Sequence, residues 1–149
     1  MTAKIFPTAQ DAENAFYEAL ESADLEAMMA VWAEDEEIVC IHPTGPRLAG
    51  QEQVRQSWAK IFSGGARNRV HVTHQVTLSG MMMEVHSVHE NFALEDDAPG
   101  RGDARPAPIV ATNVYLRTAA GWRMIVHHAS PAPGQAEPAP RETGHKILH

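Results

Sequence analysis

The apolar positions of residues 8–63 recur every three or four residues, which is the spacing of one face of a helix. Thr8 and Asp24 each precede such a run, and their side chains can cap the first turn. A third run follows a Pro/Gly-rich turn and stops at Gly64 and Gly65. The pattern predicts three helices, with apolar positions at Ala12, Ala15, Phe16, Ala19 and Leu20; at Leu25, Met28, Met29 and Trp32; and at Val54, Trp58, Ile61 and Phe62.

Beyond Arg69 the period changes to two, which is the spacing of one face of a strand. Four long strands are predicted, over residues 70–78, 81–94, 109–117 and 122–130, and a short one over 38–42. Helices followed by strands predict an α+β domain with its helices on one face of an antiparallel sheet. A strongly bent sheet under three helices encloses a cone, whose open end is a natural pocket.

Two segments lack any period that could bury a face. The loop EDDAPGRGDARPAP, residues 95–108, is polar and rich in Gly and Pro, so we expect a mobile connection that could act as a lid. The end of the chain from Pro131 on, PAPGQAEPAPRETGHKILH, has Pro/Ala character and is expected to be extended or disordered. We therefore predict a single domain over residues 8–133 and a tail over 134–149.

Composition and charge narrow the function. The net charge of −7 belongs to residues 1–60, which hold eleven acidic and four basic residues, whereas residues 61–149 hold eight of each. Nucleic acid is not an expected partner, because its binding requires a basic surface. No apolar run approaches the roughly 18 residues of a membrane span, so no membrane partner is expected. The N-terminal segment has no apolar core of a secretory signal, and a single cysteine, Cys40, fits a cytoplasmic location.

The short strand ends abruptly in the stretch VCIHPTGPRLAG, where an apolar run stops at His42 and the chain turns. In the long strands, residues two apart share a face. His86 and Glu90 therefore share one face of their strand, together with Glu84. Asn113 and Tyr115 share a face of the next strand. On the last strand His128 lies with Trp122, Met124 and Val126, and His127 points the opposite way.

These strands could bring six polar side chains together, and they are the candidate site: His42, His86, Glu90, Asn113, Tyr115 and His128. Histidine and glutamate are the usual general bases, so His42, Glu90 and His128 are the catalytic candidates. Trp58, His86, Asn113 and Tyr115 are the candidate ligand contacts, with the amide and the phenol able to hold an oxyanion. A carboxyl group inside an apolar cone would have a raised pKa, which suits proton abstraction.

Other interpretations of these residues remain open. A histidine at a strand end can be a satisfied core or surface residue, Trp58 can be core, and Tyr115 can belong to a dimer interface. Glu84 is expected to face solvent near a hairpin. Nine histidines invite a metal site, but no two share a face within one strand and no HExxH spacing occurs. No metal and no cofactor are predicted, although a site assembled from different strands stays open.

The stretch IHPTGPRLAG at 41–50, Trp58 in the following helix, and ATNVYLRTAAGWRMIVHHASPAP at 111–133 resemble the NTF2-like superfamily. The likeness is to its SnoaL-like branch, and more distantly to the association domain of calmodulin-dependent kinase and to ketosteroid isomerase-like proteins. The resemblance implies an NTF2-like, cystatin-like cone that forms homodimers through the sheet, with His42 near the mouth. Isomerases of this type use an aspartate base, which no core strand supplies here. Asn113 stands where the association domain places an arginine, so an anionic ligand is not expected.

Two functions follow as hypotheses. The first is a cofactor-independent proton-transfer enzyme, an isomerase, cyclase or dehydratase, acting on a small, apolar or weakly polar substrate. The second is a non-catalytic ligand-binding or scaffolding homodimer, which the absence of any specific catalytic motif favours.

Overall fold

The computed structural model of the protein describes residues 4–65, 68–94 and 107–139. Three helices, α1 (Ala9–Ser22), α2 (Leu25–Val31) and α3 (Gln51–Ser63), alternate with two short strands, β1 (Val39–Ile41) and β2 (Arg47–Ala49). Four long strands then follow in the order β3 (Asn68–Ser79), β4 (Met83–Leu94), β5 (Ile109–Thr118) and β6 (Gly121–Pro131). The three predicted helices and the five predicted strands are all found, and β2 is an addition within the Pro/Gly-rich turn.

The six strands form one curved, unclosed sheet in the order β2-β1-β6-β5-β4-β3. Neighbours from β3 to β6 pair antiparallel, whereas β1 pairs parallel with β6. The α+β class is confirmed, but the sheet is mixed and not wholly antiparallel. The reason is topological. Several elements, α3 among them, separate β1 from β6 along the chain, so no hairpin forces these two strands to run antiparallel.

Local capping and one buried stripe place α1 on the sheet. The Thr8 hydroxyl accepts the N–H of Asp11, and the Asp24 carboxylate accepts the N–H of Ala27, so both predicted N-caps are confirmed. The stripe of α1 that faces the sheet is buried and contains two polar residues, Glu13 and Tyr17. The apolar residues of this stripe join those of α2, α3 and the sheet in one core. We call the sheet face that these helices cover the inner face, and the opposite one the outer face.

A β-bulge in β6 changes which of its side chains point inward. Val114 pairs with Val126 and Tyr115 pairs with Met124, so Ile125 is an extra residue between them. An extra residue breaks strict alternation, and both Met124 and His127 are consequently buried. His128, which follows His127, points to the opposite face and is exposed.

The chain after β6 has no regular secondary structure up to residue 139, yet it is held in place. The N–H of Glu137 donates to Asn91 Oδ1 at 2.8 Å, and Ala136 is buried. Asn91 lies on the outer face of β4, where its Nδ2 also donates to His71 O and Thr73 Oγ1. Over residues 134–139 the chain therefore forms neither helix nor strand, and at Ala136 and Glu137 it packs on the sheet. Residues 140–149, and 95–106 of the predicted loop, lie outside the described residues, and the domain boundary stays a prediction.

A testable consequence concerns Gly121, where β6 begins beside Phe6. Gly121 has φ +97°, and a Cβ there would lie 2.9 Å from both the backbone nitrogen and oxygen of Phe6. Gly121→Ala should cost about 1–3 kcal/mol from backbone strain and about 1–3 kcal/mol more from the steric contact. Urea unfolding followed by tryptophan fluorescence measures the loss.

Gly50→Ala is the matched control, since Gly50 has φ +89° with nothing within 4 Å of the added Cβ. It should show only the strain. Equal losses for the two variants would mean that the approach of Phe6 is not a constraint on the fold.

Candidate functional site

Seven buried polar side chains meet between α1 and the inner face, and we call them the buried network. They are Glu13 and Tyr17 of α1, His86 and Glu90 of β4, Asn113 and Tyr115 of β5, and His127 of β6. Glu13 and Tyr17 are one turn apart and so point the same way from α1. Cross-strand pairing sets the others side by side, because His86 faces Asn113 and Asn113 faces His127.

Glu13 is the centre of the buried network. Its Oε2 atom accepts hydrogen bonds from Tyr115 OH at 2.8 Å, His86 Nδ1 at 3.0 Å and Asn113 Nδ2 at 3.0 Å. Burial raises the pKa of this carboxyl, but the three donors and the charge of His86 outweigh burial and leave the pKa below its usual value. Glu13 is therefore a buried anion. Its second oxygen, Oε1, is buried with no hydrogen-bond partner among the described residues.

His86 lies between two carboxylates. Its Nδ1 contacts Glu13 and its Nε2 lies 2.7 Å from Glu84 Oε2. Burial lowers the pKa of the imidazole, but the hydrogen bonds to Glu13 and Glu84 raise the pKa by more than burial lowers it. The net pKa is therefore above the usual value. Carboxylate oxygens at both ring nitrogens favour the protonated imidazolium form of His86. The expectation that Glu84 faces solvent is wrong, because Glu84 shares the inner face with His86 and is half-buried by this ion pair.

Glu90 is a second buried carboxyl with the opposite protonation behaviour. Burial raises its pKa to about 7; the hydrogen bond from Tyr17 lowers the pKa, and the negative charge of Glu13 raises it. Tyr17 OH donates to Glu90 Oε2 at 2.5 Å. No described residue hydrogen-bonds the other oxygen, Oε1. Glu90 is therefore held through one oxygen and exchanges a proton near neutral pH.

Asn113 determines the tautomer of His127. The amide Nδ2 of Asn113 donates to Glu13 and, at 3.0 Å, to Tyr17 OH, so its Oδ1 accepts from His127 Nδ1 at 2.6 Å. Burial lowers the pKa of His127 to about 3, and the charges of His42 and His128 lower it too. The ring is consequently neutral at pH 7, with its proton on Nδ1 and a lone pair on Nε2.

An aromatic cluster adjoins the buried network at His127. Phe16 and Trp58 pack against the His127 ring, with centroids 4.8 and 6.3 Å away, and His42 meets Trp58 edge-on at 4.7 Å. Phe62 completes the cluster against Trp58. The Trp58 Nε1–H is buried with no partner among the described residues.

His42 is fixed by a serine on α3. Ser57 Oγ donates to Val54 O, so the Nε2–H of His42 donates to Ser57 Oγ at 3.0 Å. Burial lowers the pKa of His42. The remaining lone pair is on Nδ1, which makes neutral His42 an acceptor at that atom.

The structure brings together most of the residues expected from sequence. His86, Glu90, Asn113 and Tyr115 lie in the buried network, and His42 and Trp58 lie in the adjoining aromatic cluster. The position expected for His128 is wrong, because the bulge at Ile125 turns it to the outer face and brings His127 inward.

Glu13 and Tyr17 were not predicted, because they lie on a helix and the candidate residues were taken from strands. A signal was present, since each is polar and directly follows an apolar position of the first helix, Ala12 or Phe16. Asn113 and Tyr115 also differ from their expected role. Their donor hydrogens are taken by Glu13 and Tyr17, so neither is free to hold a substrate oxyanion.

Comparison with known families decides the relationship. A model of the SnoaL-like domain matches residues 10–134. The chain belongs to the SnoaL-like family. The predicted NTF2-like cone is confirmed, with three helices on one face of a curved sheet.

Two solved structures of this SnoaL-like protein's relatives cover most of the chain. One, from Thiobacillus denitrificans, is provisionally described as a calcium/calmodulin-dependent protein kinase type II association domain. It is 39% identical, covers 87% of this chain and 99% of its own, and has a TM-score of 0.74. The other, from Streptomyces avermitilis, is provisionally described as a dehydratase of the NTF2-like family. It is 30% identical, covers 83% of this chain and 92% of its own, and has a TM-score of 0.71.

A curated relative, the F-box protein SKIP8 of Arabidopsis thaliana, is 26% identical over 117 residues. The match takes in 77% of this chain and 46% of that protein, so the chain spans less than half of its length. Within the described ranges, no helix has both the length and the apolar character that crossing a membrane requires.

The pKa of Glu90 makes stability depend on pH in a defined window. In the folded state Glu90 keeps its proton up to about pH 7. In the unfolded state the same carboxyl has its ordinary pKa of 4.5 and loses the proton above that pH. The folded state thus binds more protons between these values, so this group's contribution to stability falls as pH rises. Glu90→Gln removes the titration. Its free energy of unfolding relative to wild type should rise by about 3 kcal/mol between about pH 4 and pH 8.

Urea unfolding at a series of pH values measures this difference. Glu37→Gln, at an exposed position outside the buried network, is the control and should keep a constant difference from wild type. A constant difference for Glu90→Gln as well would contradict the buried, proton-holding state of Glu90.

Proposed function

We propose that this SnoaL-like protein binds a small, mostly apolar molecule inside the cone and catalyses a cofactor-independent proton transfer on it. Isomerisation, cyclisation and dehydration are reactions of this kind. The observation that carries the proposal is Glu90, a buried carboxyl with a pKa of about 7 and an Oε1 atom that no described residue hydrogen-bonds. A group that is half ionised at neutral pH can both take and return a proton.

In the proposed first step, Glu90 Oε1 takes a proton from a carbon next to a carbonyl group. The electron pair of the broken C–H bond moves onto the carbonyl oxygen, giving an enolate or enol. Tyr17, which donates to Glu90 Oε2, keeps the carboxylate oriented throughout. The electron pair then returns from the oxygen and re-forms the carbonyl group, while protonated Glu90 gives back its proton. In a β,γ-unsaturated substrate the proton goes to the γ-carbon, which completes an isomerisation; in a β-hydroxy substrate it goes to the hydroxyl as the C–O bond breaks and water leaves, which completes a dehydration.

The aromatic cluster supplies the other groups that this chemistry needs. The Nε1–H of Trp58, which has no partner in the described part of the chain, is a donor for the developing oxyanion. The Nε2 lone pair of neutral His127 and the Nδ1 lone pair of His42 are acceptors for a substrate hydroxyl. Phe16 and Phe62 offer apolar contact. His42, Glu90 and Trp58 thereby keep proposed roles, and the 30% identical protein provisionally described as a dehydratase supports this reaction class.

Solvent deuterium uptake tests the proposal directly. In D₂O, the protein should exchange α-protons of at least one class in a panel of small apolar ketones, aldehydes and β-hydroxyketones, followed by proton NMR. The rate should rise with pH through about 7, because the ionised carboxylate is the base. Glu90→Gln should lower the exchange rate by about 10²–10⁴-fold.

His128→Gln is the matched control on the outer face and should leave the rate unchanged. Exchange that survives in Glu90→Gln, or absence of exchange across the panel, would contradict the proton-transfer role.

A non-catalytic scaffolding homodimer is the second candidate. It is favoured by the outer face, where Val76 and Leu78 of β3 are 56% and 64% exposed beside partly exposed apolar residues of β4 and β5. Apolar surface of this kind is typical of interfaces. The 39% identical protein provisionally described as an association domain supports the same assignment. The proposal pairs two copies through their sheets and, given the single buried Cys40, places the protein in the cytoplasm.

Analytical ultracentrifugation tests the pairing. Wild type should sediment as a dimer, and Leu78→Glu should weaken the dimer by at least about tenfold because it places a charge in an apolar interface. Ile61→Glu likewise replaces an exposed apolar side chain with a charged one, but on α3 and away from the sheet, so it should leave the dimer intact. A wild-type monomer, or equal effects of the two substitutions, would contradict pairing through the outer face.

A further inference from the structure

A groove of about 360 Å³ runs along the outside of the domain between α1 and the edge strand β3. One wall is a continuous stripe of α1 from Gln10 to Glu21, in which residues three and four apart share a face. The other wall consists of Val70, Val72 and Gln75. A pocket of this volume is large enough for a small molecule.

The two walls are tied together at both ends, so the groove is a formed feature. At one end, Gln75 Nε2 donates to Gln10 Oε1 at 2.8 Å. At the other end, the N–H of Val70 donates to Glu21 Oε2 at 2.8 Å. Between these ties the valines offer an apolar surface opposite the polar stripe of α1.

The charge in the groove has one sign. Glu13, Glu18 and Glu21 contribute three carboxyl groups, and among the described residues no lysine or arginine lines the groove. An anionic ligand is therefore disfavoured, and a cation is attracted.

One residue that lines the groove, Glu13, has a buried oxygen with no hydrogen-bond donor among the described residues. Glu13 is 1% exposed, and the oxygen is its Oε1. A buried carboxylate oxygen left unpaired is costly, so this position is suited to an N–H donor that enters from the groove. This orphaned acceptor is an observation independent of the acidic character of the walls.

The position next to Glu13 Oε1 is better suited to an organic cation than to a metal ion. Over residues 4–65, 68–94 and 107–139, no three histidine, cysteine or acidic side chains are arranged to hold a metal. An ammonium or guanidinium group carries N–H donors, and an alkyl chain attached to it can lie against Val70 and Val72.

We propose that the α1–β3 groove binds a small organic cation, an alkylammonium or alkylguanidinium, with an N–H donating to Glu13 Oε1 and the alkyl chain on the valines of β3. The groove does not include Glu90, the proposed base, and Tyr17, which lines the groove, donates to that carboxyl. Glu18 and Glu21 contribute attraction at the mouth of the groove.

Three probes of one length and different charge test the proposal: n-butylammonium, n-butanol and butyrate. Each is titrated into the wild-type protein while the backbone amides of Val70 and Val72 are followed by ¹⁵N–¹H NMR. n-Butylammonium should shift these resonances saturably and more weakly as salt is added. Butyrate should not bind. Equal binding of n-butanol and n-butylammonium would overturn the proposal. The proposal would also be overturned if n-butylammonium left the Val70 and Val72 resonances unshifted at concentrations where n-butanol already perturbs the protein.

Two variants place the cation. Glu18→Gln, at an exposed position of the groove, should weaken n-butylammonium binding about two- to fivefold. Glu13→Gln should weaken it at least about tenfold, and its fold is checked by circular dichroism because Glu13 also belongs to the buried network. Glu37→Gln carries the same charge change outside the groove and should have no effect. Binding that is unchanged in both Glu18→Gln and Glu13→Gln would overturn the assignment of the site.

Discussion

The buried carboxylate of Glu13 is the interaction on which the rest of this structure depends. Removing an anion from water is expensive unless donors compensate, and here three donors from two strands converge on one oxygen. Because Glu13 lies on α1 and the donors lie on β4 and β5, the same contacts dock the helix on the inner face. The charge of Glu13 also acts on its neighbours. Together with Glu84 it raises the pKa of His86 against the effect of burial, and it adds to the burial that raises the pKa of Tyr115.

The second buried carboxyl is different because the first is already ionised. Glu90 has one donor, Tyr17, where Glu13 has three, and it experiences the negative charge of Glu13. Two carboxylates in one buried site do not both ionise easily, so their pKa values move apart. The buried network therefore keeps the charge on the carboxyl that docks α1 and leaves the other carboxyl to titrate near neutral pH. This division supports the proposed role of Glu90 as the base.

Strand periodicity in the sequence predicted the site residues that lie on regular parts of the strands. It did not predict the site residues that follow a bulge or lie on a helix. His86, Glu90, Asn113 and Tyr115 lie on regular parts of β4 and β5, so alternation placed them correctly on one face. His127 and His128 follow a bulge, and a one-residue insertion reverses every later position on the strand, which no local propensity around Ile125 indicates. Glu13 could not be assigned a partner from sequence, because its contacts are 73 to 102 residues away and depend on how α1 crosses the sheet. The three helices, by contrast, have caps and periods that are local.

The groove and the interior of the cone are linked through the same two helical residues. Tyr17 lines the groove and donates to Glu90, while Glu13 lines the groove and raises the pKa of Glu90 through its charge. A cation bound beside Glu13 would offset that charge, so the pKa of Glu90 would fall and a larger fraction of the carboxyl would be ionised at neutral pH. By linkage, an ionised Glu90 would in turn hold the cation more tightly. The charge of one buried anion that lines the groove is thus sufficient to couple occupancy of the groove to the protonation of the proposed base, with no movement of the backbone required.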